Sequence, residues 1–316
     1  MRPHPQFPPG GAIRASYFLP FILLIASFDA FAWNKPGHMV TAGVAFDSLR
    51  GHDDDVIKKV TALLQHHPFY EPQWKSQIRA LSAEDQALVL FMLASAWPDD
   101  VRMDRRFHQG AWHFANFPYV PKGQPRHIRG RDPDPDNILS AFSHNVKIVQ
   151  NKARPDAERA VALAWIFHLV GDVHQPLHTV SLFTVQWPNG DRGGNDFIIR
   201  AKAENQPIDL HRFWDDLIIG SDRLRSIRNA SILIRKTFPR DHLRELQHRE
   251  FREWSAESFQ LAQSHVYQFG KLPGSVDKNN APVLTQSYRM NAKALAERRA
   301  ALAGYRLADV LEQLFD

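Results

Sequence analysis

The segment "HLVGDVHQPLH", from His168 to His178, contains three imidazoles and a carboxylate within eleven positions. His168 and Asp172 are four residues apart. On a helix that spacing is about 40° of rotation, so both side chains can reach one point. The same spacing recurs in "LHRFWDD", where His211 and Asp215 are four apart. Imidazole nitrogen with carboxylate oxygen is a donor set that zinc takes. His178 follows the break at Pro176 and can fold back toward the same pocket. His174 is six residues beyond His168 and points elsewhere, and Asp216 faces away from His211. A single such pair is more often a surface or core contact. Two pairs within 50 residues, the first flanked by Trp165, Ile166, Phe167, Leu169 and Val170, are a different matter. A carboxylate in apolar surroundings needs compensation, and a metal ion supplies it.

Two shorter segments carry further candidates. "ASAWPDDVR" places Asp99 at a helix exit, with Arg102 three residues on, and "AWHFANFP" flanks His113 with aromatic residues. Alone, the first reads as an ordinary loop start and the second as a satisfied core histidine.

Helices must position these groups. Residues 82–97 open on Ser82 with Asp85 three positions later, a capping-box-like start, and Pro98 is expected to stop them. Residues 155–175 open on a proline and precede Pro176. Residues 210–219, 221–237, 256–270 and 283–303 also read as helix. A final helix over 304–315 carries Leu307, Val310, Leu311 and Leu314 at helical spacing. Strand signal is confined to "DFIIRAKA", residues 196–203, read as part of a small β-ribbon. Residues 122–137, rich in proline, glycine and charge, read as a loop; its basic part, 122–131, could guide a polyanion but reads first as solvated. The expected fold is one all-α multi-helix domain over 33–316 with that minor β element.

Residues 1–32 read as a cleaved signal peptide. Arg2 and Arg14 precede an apolar run over 16–28, and Ala30-Phe31-Ala32 offers small residues at the cleavage site. The run contains Pro20 and is short for a span of about 20 residues. No later segment is long and apolar enough to span a bilayer. With 44% hydrophobic residues the chain can bury a large core, so a disordered protein is excluded. A formal charge of +5 permits a polyanionic partner without demonstrating one. Sixteen histidines and no cysteine leave core packing or metal, not disulfides, to stabilise an exported chain.

In order, "WNKPGH", "AWPDDVR", "WHFANFP", "HLVGDVHQPLH", "GDRGGND", "LHRFWDD", "REWSAES" and "AGYRLADVLEQLF" resemble the trinuclear-zinc, single-strand-specific nuclease and 3′-nucleotidase family, the S-one/P-one nucleases. The resemblance covers essentially the whole chain after residue 32. It implies three zinc ions. One would take Asp99, His113, His168 and Asp172. A second would take the amino nitrogen and carbonyl oxygen of Trp33, exposed by cleavage, with His38 and the bridging Asp172. The third would take His178, His211 and Asp215. Two metals sharing a carboxylate can hold one hydroxide for in-line attack on phosphorus. The third zinc would stabilise the departing 3′-oxygen, and Arg102 would neutralise charge on the phosphoryl oxygens.

The same resemblance makes Phe114 a base-stacking face, Asn116 a reader of the base edge and Asn195 a substrate contact. Core packing remains open for Phe114, and a plain turn for Asn195 with Gly193 and Gly194. Fungal and plant members usually have Asp at the position of Asn116, and they carry disulfides. A cysteine-free chain points to a bacterial, periplasmic or secreted member, expected as a monomer. Expected substrates are single-stranded DNA and RNA and nucleotides, with 5′-phosphorylated products. Two alternatives stand beside this reading: a zinc phospholipase C, in which the first His lies further from the N-terminal Trp and the last ligand is Glu, and a non-catalytic zinc-binding protein. Three protein residues on each of two ions leave coordination positions open, which argues against purely structural zinc.

Overall fold

A computed structural model describes residues 33–316; the expected leader, residues 1–32, lies outside them. Four helices form the centre. Helix α1 (Lys35–Leu49) begins at Asn34, whose side chain accepts from the Gly37 N–H, and Pro36 supplies a helical φ in the first turn. It is buried on nearly every face, as a helix apolar all round must be. It packs against α4 (Ala83–Asp100) and α10 (Gln286–Phe315), and α4 packs against α6 (Asp156–Asp172). Around them lie α2 (Asp54–Leu64), α3 (Lys75–Ile78), α5 (Ile138–Gln150), α7 (Leu210–Asp215), α8 (Leu224–Thr237) and α9 (Phe251–Leu261).

Several expected boundaries move. Helix α4 does not stop at Pro98 but runs through it to Asp100, and the Val101 N–H reaches the Trp97 carbonyl. Proline forfeits only its own donor, and in the last turn that loss is tolerable when Trp97 on one side is fully packed. Asp99 therefore sits on a helix rather than in a loop. The two helices expected over 283–315 are one. Gly304 does not end a helix; a Cβ there would lie 2.5 Å from the Val44 side chain and 2.9 Å from the Thr41 carbonyl, so glycine lets α10 cross α1 closely. Helix α6 ends at Asp172, and α7 at Asp215, both shorter than expected. Residues 256–270 span the end of α9, a π turn and a 3-10 turn in place of one helix.

The expected ribbon is present but brief. Strand β3 (Ile198–Ile199) pairs antiparallel with β4 (Ile208–Asp209), Ile199 opposite Ile208. A second pair was not foreseen. Strand β1 (Phe117–Tyr119) runs parallel to β2 (Val180–Leu182), with Phe117 opposite Val180. It ties the segment that follows His113 to the one that follows His178. The protein is thus all-α with two small β pairs. Two hydrophobic clusters fill it, one around α1, α4, α6 and α10, the other around Leu177, Trp187, Phe197, Trp214 and Tyr288. Among the described residues no helix is long and apolar enough to cross a membrane.

Candidate metal centre

The candidate ligands meet where elements of the two clusters meet. His38 comes from the first turns of α1, Asp99 from the last turn of α4, and His168 and Asp172 from the end of α6. His113 and His178 come from short 3-10 turns, and His211 and Asp215 from α7. All are buried.

Asp172 stands at the middle. Its Oδ2 lies 3.0 Å from His113 Nδ1 and 3.1 Å from His168 Nε2. Its Oδ1 lies 3.3 Å from His38 Nε2 and 3.5 Å from His178 Nδ1. His168 Nε2 is also 3.6 Å from Asp99 Oδ1, and the His38 ring stacks on that of His168 at 3.9 Å. Three groups of donor atoms are close enough to share an ion: His38, Asp99 and His168; His113, His168 and Asp172; His178, His211 and Asp215. His38 falls with Asp99 and His168 as well as beside Asp172, so it reaches both halves of the expected pair of sites.

The hydrogen bonds fix the rings so that lone pairs converge. His168 Nδ1 donates to the Ser95 carbonyl, His178 Nδ1 to that of His113 and His211 Nδ1 to that of Gly193. Rings held this way, when neutral, turn their Nε2 lone pairs inward. Those of His178 and His211 face each other at 3.2 Å. Only a cation, a proton or a metal ion, makes that approach favourable. Burial pushes His178 down to about 3, so it does not take the proton near neutral pH. Unpartnered buried atoms collect at the same place: His38 Nε2, Asp99 Oδ2, Asp172 Oδ1 and Asp215 Oδ2. Buried polar atoms are otherwise almost always bonded. The donor set and the orphaned atoms together fit divalent metal, and outer carbonyls that hold each imidazole are the usual support of such ligands.

The carboxylates differ. Burial opposes the charge of Asp172, but the neighbouring His168 and the hydrogen bonds from His113 and His168 outweigh it and hold the group well below the ordinary carboxylate range. Asp215 is pushed well above that range by burial, against a hydrogen bond of 2.8 Å from Gln175 Nε2. A cation placed beside it removes that penalty.

The S1/P1 Nuclease family model matches residues 33–316. The chain belongs to the S1/P1 nuclease family. It is 29% identical over 240 residues to Endonuclease 3 of Arabidopsis thaliana, covering 70% of this chain and 75% of that protein. Endonuclease 5 of the same plant is 25% identical over 317 residues, covering 90% and 91%, and Endonuclease 4 is 22% identical, covering 90% of each. The protein is therefore a nuclease, a phosphodiester hydrolase.

This nuclease places the remaining expected residues as follows. Trp33 is fully buried, and the Asn34 N–H bonds the Asp215 carbonyl at 3.3 Å, so the start of the described chain lies against α7. Arg102 donates from Nη2 to Asp99 Oδ1 at 2.6 Å, so its guanidinium is engaged with a candidate ligand. The Phe114 ring lies 4.8 Å from His178 and 5.9 Å from His211, on the wall of the site and not in the core. Asn116 is exposed with φ 52°, a left-handed conformation that Asn accepts readily. Asn195 donates to the Arg192 carbonyl at 2.7 Å within the turn that Gly193 and Gly194 allow; at Gly193 a Cβ would lie 2.5 Å from the Leu177 carbonyl. His174 points away from the centre and Asp216 pairs with Asn34, as their spacing implied.

Sequence reasoning missed three supports. Gln175 bridges Asp215 and the Leu177 N–H. Gly171 lets His38 approach: a Cβ there would lie 2.6 Å from His38 Nδ1. A glycine inside an apolar helix next to a candidate ligand was a usable signal. Behind α6, Glu257 of α9 binds Arg299 and Arg306 of α10 at 2.7 Å each. Arg299 Nε donates to the His174 carbonyl, Arg306 to His174 Nε2, and Ser258 Oγ to the Val173 carbonyl. These bonds clamp the turn just beyond Asp172. Their partners are more than 80 residues away in sequence, and no local pattern marks them.

Proposed function

We propose that the protein is a secreted, zinc-dependent endonuclease and 3′-nucleotidase. It hydrolyses single-stranded DNA and RNA to 5′-phosphorylated products. On this reading residues 1–32 are a cleaved leader and 33–316 form one monomeric nuclease domain. Three zinc ions would be held by the sets the family resemblance implies: Asp99, His113, His168 and Asp172; the Trp33 amino nitrogen and carbonyl with His38 and Asp172; and His178, His211 and Asp215. When bound, zinc lowers the pKa of water toward neutrality and offsets phosphoryl charge.

The chain's own residues supply the rest. Asp172 joins the two inner groups and keeps them at a fixed separation. Arg102, oriented by Asp99, places its guanidinium charge near the phosphoryl oxygens. Phe114 offers a face to an unpaired base, which a duplex does not expose. Asn116 presents its amide to the base edge, and Asn195 is a further substrate contact. His178, His211 and Asp215 stand beside the departing 3′-oxygen. The observation that carries the reading is the convergence of unpartnered donor atoms around Asp172, directly against an accessible aromatic ring.

The test is cleavage of single-stranded DNA, single-stranded RNA and duplex DNA by the chain beginning at Trp33, with metal analysis. Single strands should be cut in preference, chelation should abolish cutting, and zinc should restore it. Equal cutting of duplex removes the stacking role of Phe114. Activity untouched by removal of metal overturns the mechanism.

A further inference from the structure

A cavity of about 330 Å³ opens beside the metal centre, with Phe114, Asn116, Asn195, Ser181 and Phe183 among its walls. Two guanidiniums, Arg131 and Arg192, also line it. Arg192 is committed: it donates to both oxygens of Asp196, at 2.9 and 2.7 Å. Arg131 is not. Its contact is a long 3.3 Å hydrogen bond to Asn189 Oδ1, and among the described residues no carboxylate pairs with it.

Arg131 belongs to the segment 122–137, which the sequence presents as a solvated loop. The structure pins that loop. Ile128 is buried, and Gln124 accepts the Val185 N–H at 3.0 Å. At Gly130 a Cβ would lie 2.1 Å from Pro118 Cβ, so the loop backbone lies flat on β1. Arg131 follows directly and reaches across to Asn189, in the turn just ahead of the one that carries Asn195. An exposed guanidinium held at a fixed place, without a carboxylate, beside an aromatic wall is a ready anion contact.

The position says which anion. Phe114 lies against His178 and His211, the group assigned above to the departing 3′-oxygen. A base stacked on Phe114 therefore belongs to the nucleotide that loses its 3′-phosphate. The other phosphate of that nucleotide, on its 5′-oxygen, lies across the sugar from the metal centre. We propose that Arg131 holds this 5′-phosphate, so that the enzyme distinguishes a nucleotide inside a strand from one that ends at a 5′-hydroxyl. This rests on the nuclease reading of the centre. Asp132 and Asp134 share the rim, so attraction is local to the guanidinium and not diffuse.

The test uses two dinucleotides that differ only in a 5′-phosphate, both with one scissile bond. Wild type should prefer the phosphorylated one. Arg131→Ala should lower kcat/KM on it about 10- to 100-fold, mainly through KM, the range of a charge-assisted hydrogen bond. The unphosphorylated dinucleotide should change by less than about twofold. Arg131→Lys should keep part of the preference, as charge without the planar fork. Lys122→Ala, removing another cation of the same loop, should leave the preference intact. Equal loss on both substrates, or no loss on either, overturns the proposal. A preference abolished equally by Lys122→Ala assigns it to diffuse charge and also overturns it. Wild type cleaving neither dinucleotide defeats the parent reading, and the proposal with it.

Discussion

Gly171→Ala tests whether close packing sets the position of a candidate ligand. The added Cβ would stand 2.6 Å from His38 Nδ1 and 2.9 Å from Cε1, against an ordinary contact of 3.4 Å or more. His38 has little room to retreat, because its ring stacks on His168 at 3.9 Å and its Nε2 is 3.3 Å from Asp172. Relief requires a shift of about 0.8 Å by the imidazole or by α6 itself. Overpacking of this kind costs about 1–3 kcal/mol. Replacing glycine by alanine inside a helix returns up to about 1 kcal/mol. Net destabilisation should thus be about 0–3 kcal/mol, leaving the chain folded. A misplacement approaching 1 Å at a reacting centre costs about 100-fold in rate. The signature is small loss in urea-unfolding stability with a large loss of turnover and of bound metal. Full metal content and turnover in a folded Gly171→Ala protein would refute the reasoning, and a loss explained entirely by unfolding would remove its link to His38.

Gly304→Ala should destabilise by about 1–3 kcal/mol despite its helix propensity, because Val44 and the Thr41 carbonyl occupy the space; thermal melting checks it. Glu257 sets an acid limit: burial would raise it, but the Arg306 hydrogen bond and the Arg299 and Arg306 charges bring it down to about 2 from 4.5. Its folded value being depressed, the stabilisation is complete above about pH 4.5 and is lost as pH falls toward 2. It amounts to about 2 kcal/mol, reduced from the full linkage value because the carboxylate meets some solvent. Glu257→Gln should flatten unfolding free energy over that window, while an unchanged slope would remove the role. Extending the chain by one residue ahead of Trp33 should cost one zinc equivalent and most activity, measured by metal analysis beside a nuclease assay.

The His168/Asp172 and His211/Asp215 pairs were legible because four residues on a helix is a contact fixed by backbone geometry alone. Asp99 and His113 stood out without a deciding local mark, and only the family pattern assigned them, with Trp33, to metal. Pro98 and Gly304 misled for one reason. Their rules describe an isolated helix, whereas here the packed Trp97 and the close crossing at Val44 decide. The β1–β2 pair is three residues long on each side, too short for any alternation to show. Arg131 looked solvated because the tether at Gly130 depends on Pro118 and is invisible to composition.

The clamp behind α6 has a consequence for the order in which this protein comes into being. Every candidate ligand lies between Trp33 and Asp215, while Arg299 and Arg306 stand near the end of the chain. A growing chain thus holds its complete donor set long before the turn beyond Asp172 can be braced. Seating of the donors thus depends on α10, and a product truncated ahead of Arg299 would keep all nine candidate ligands yet lack the brace behind Asp172.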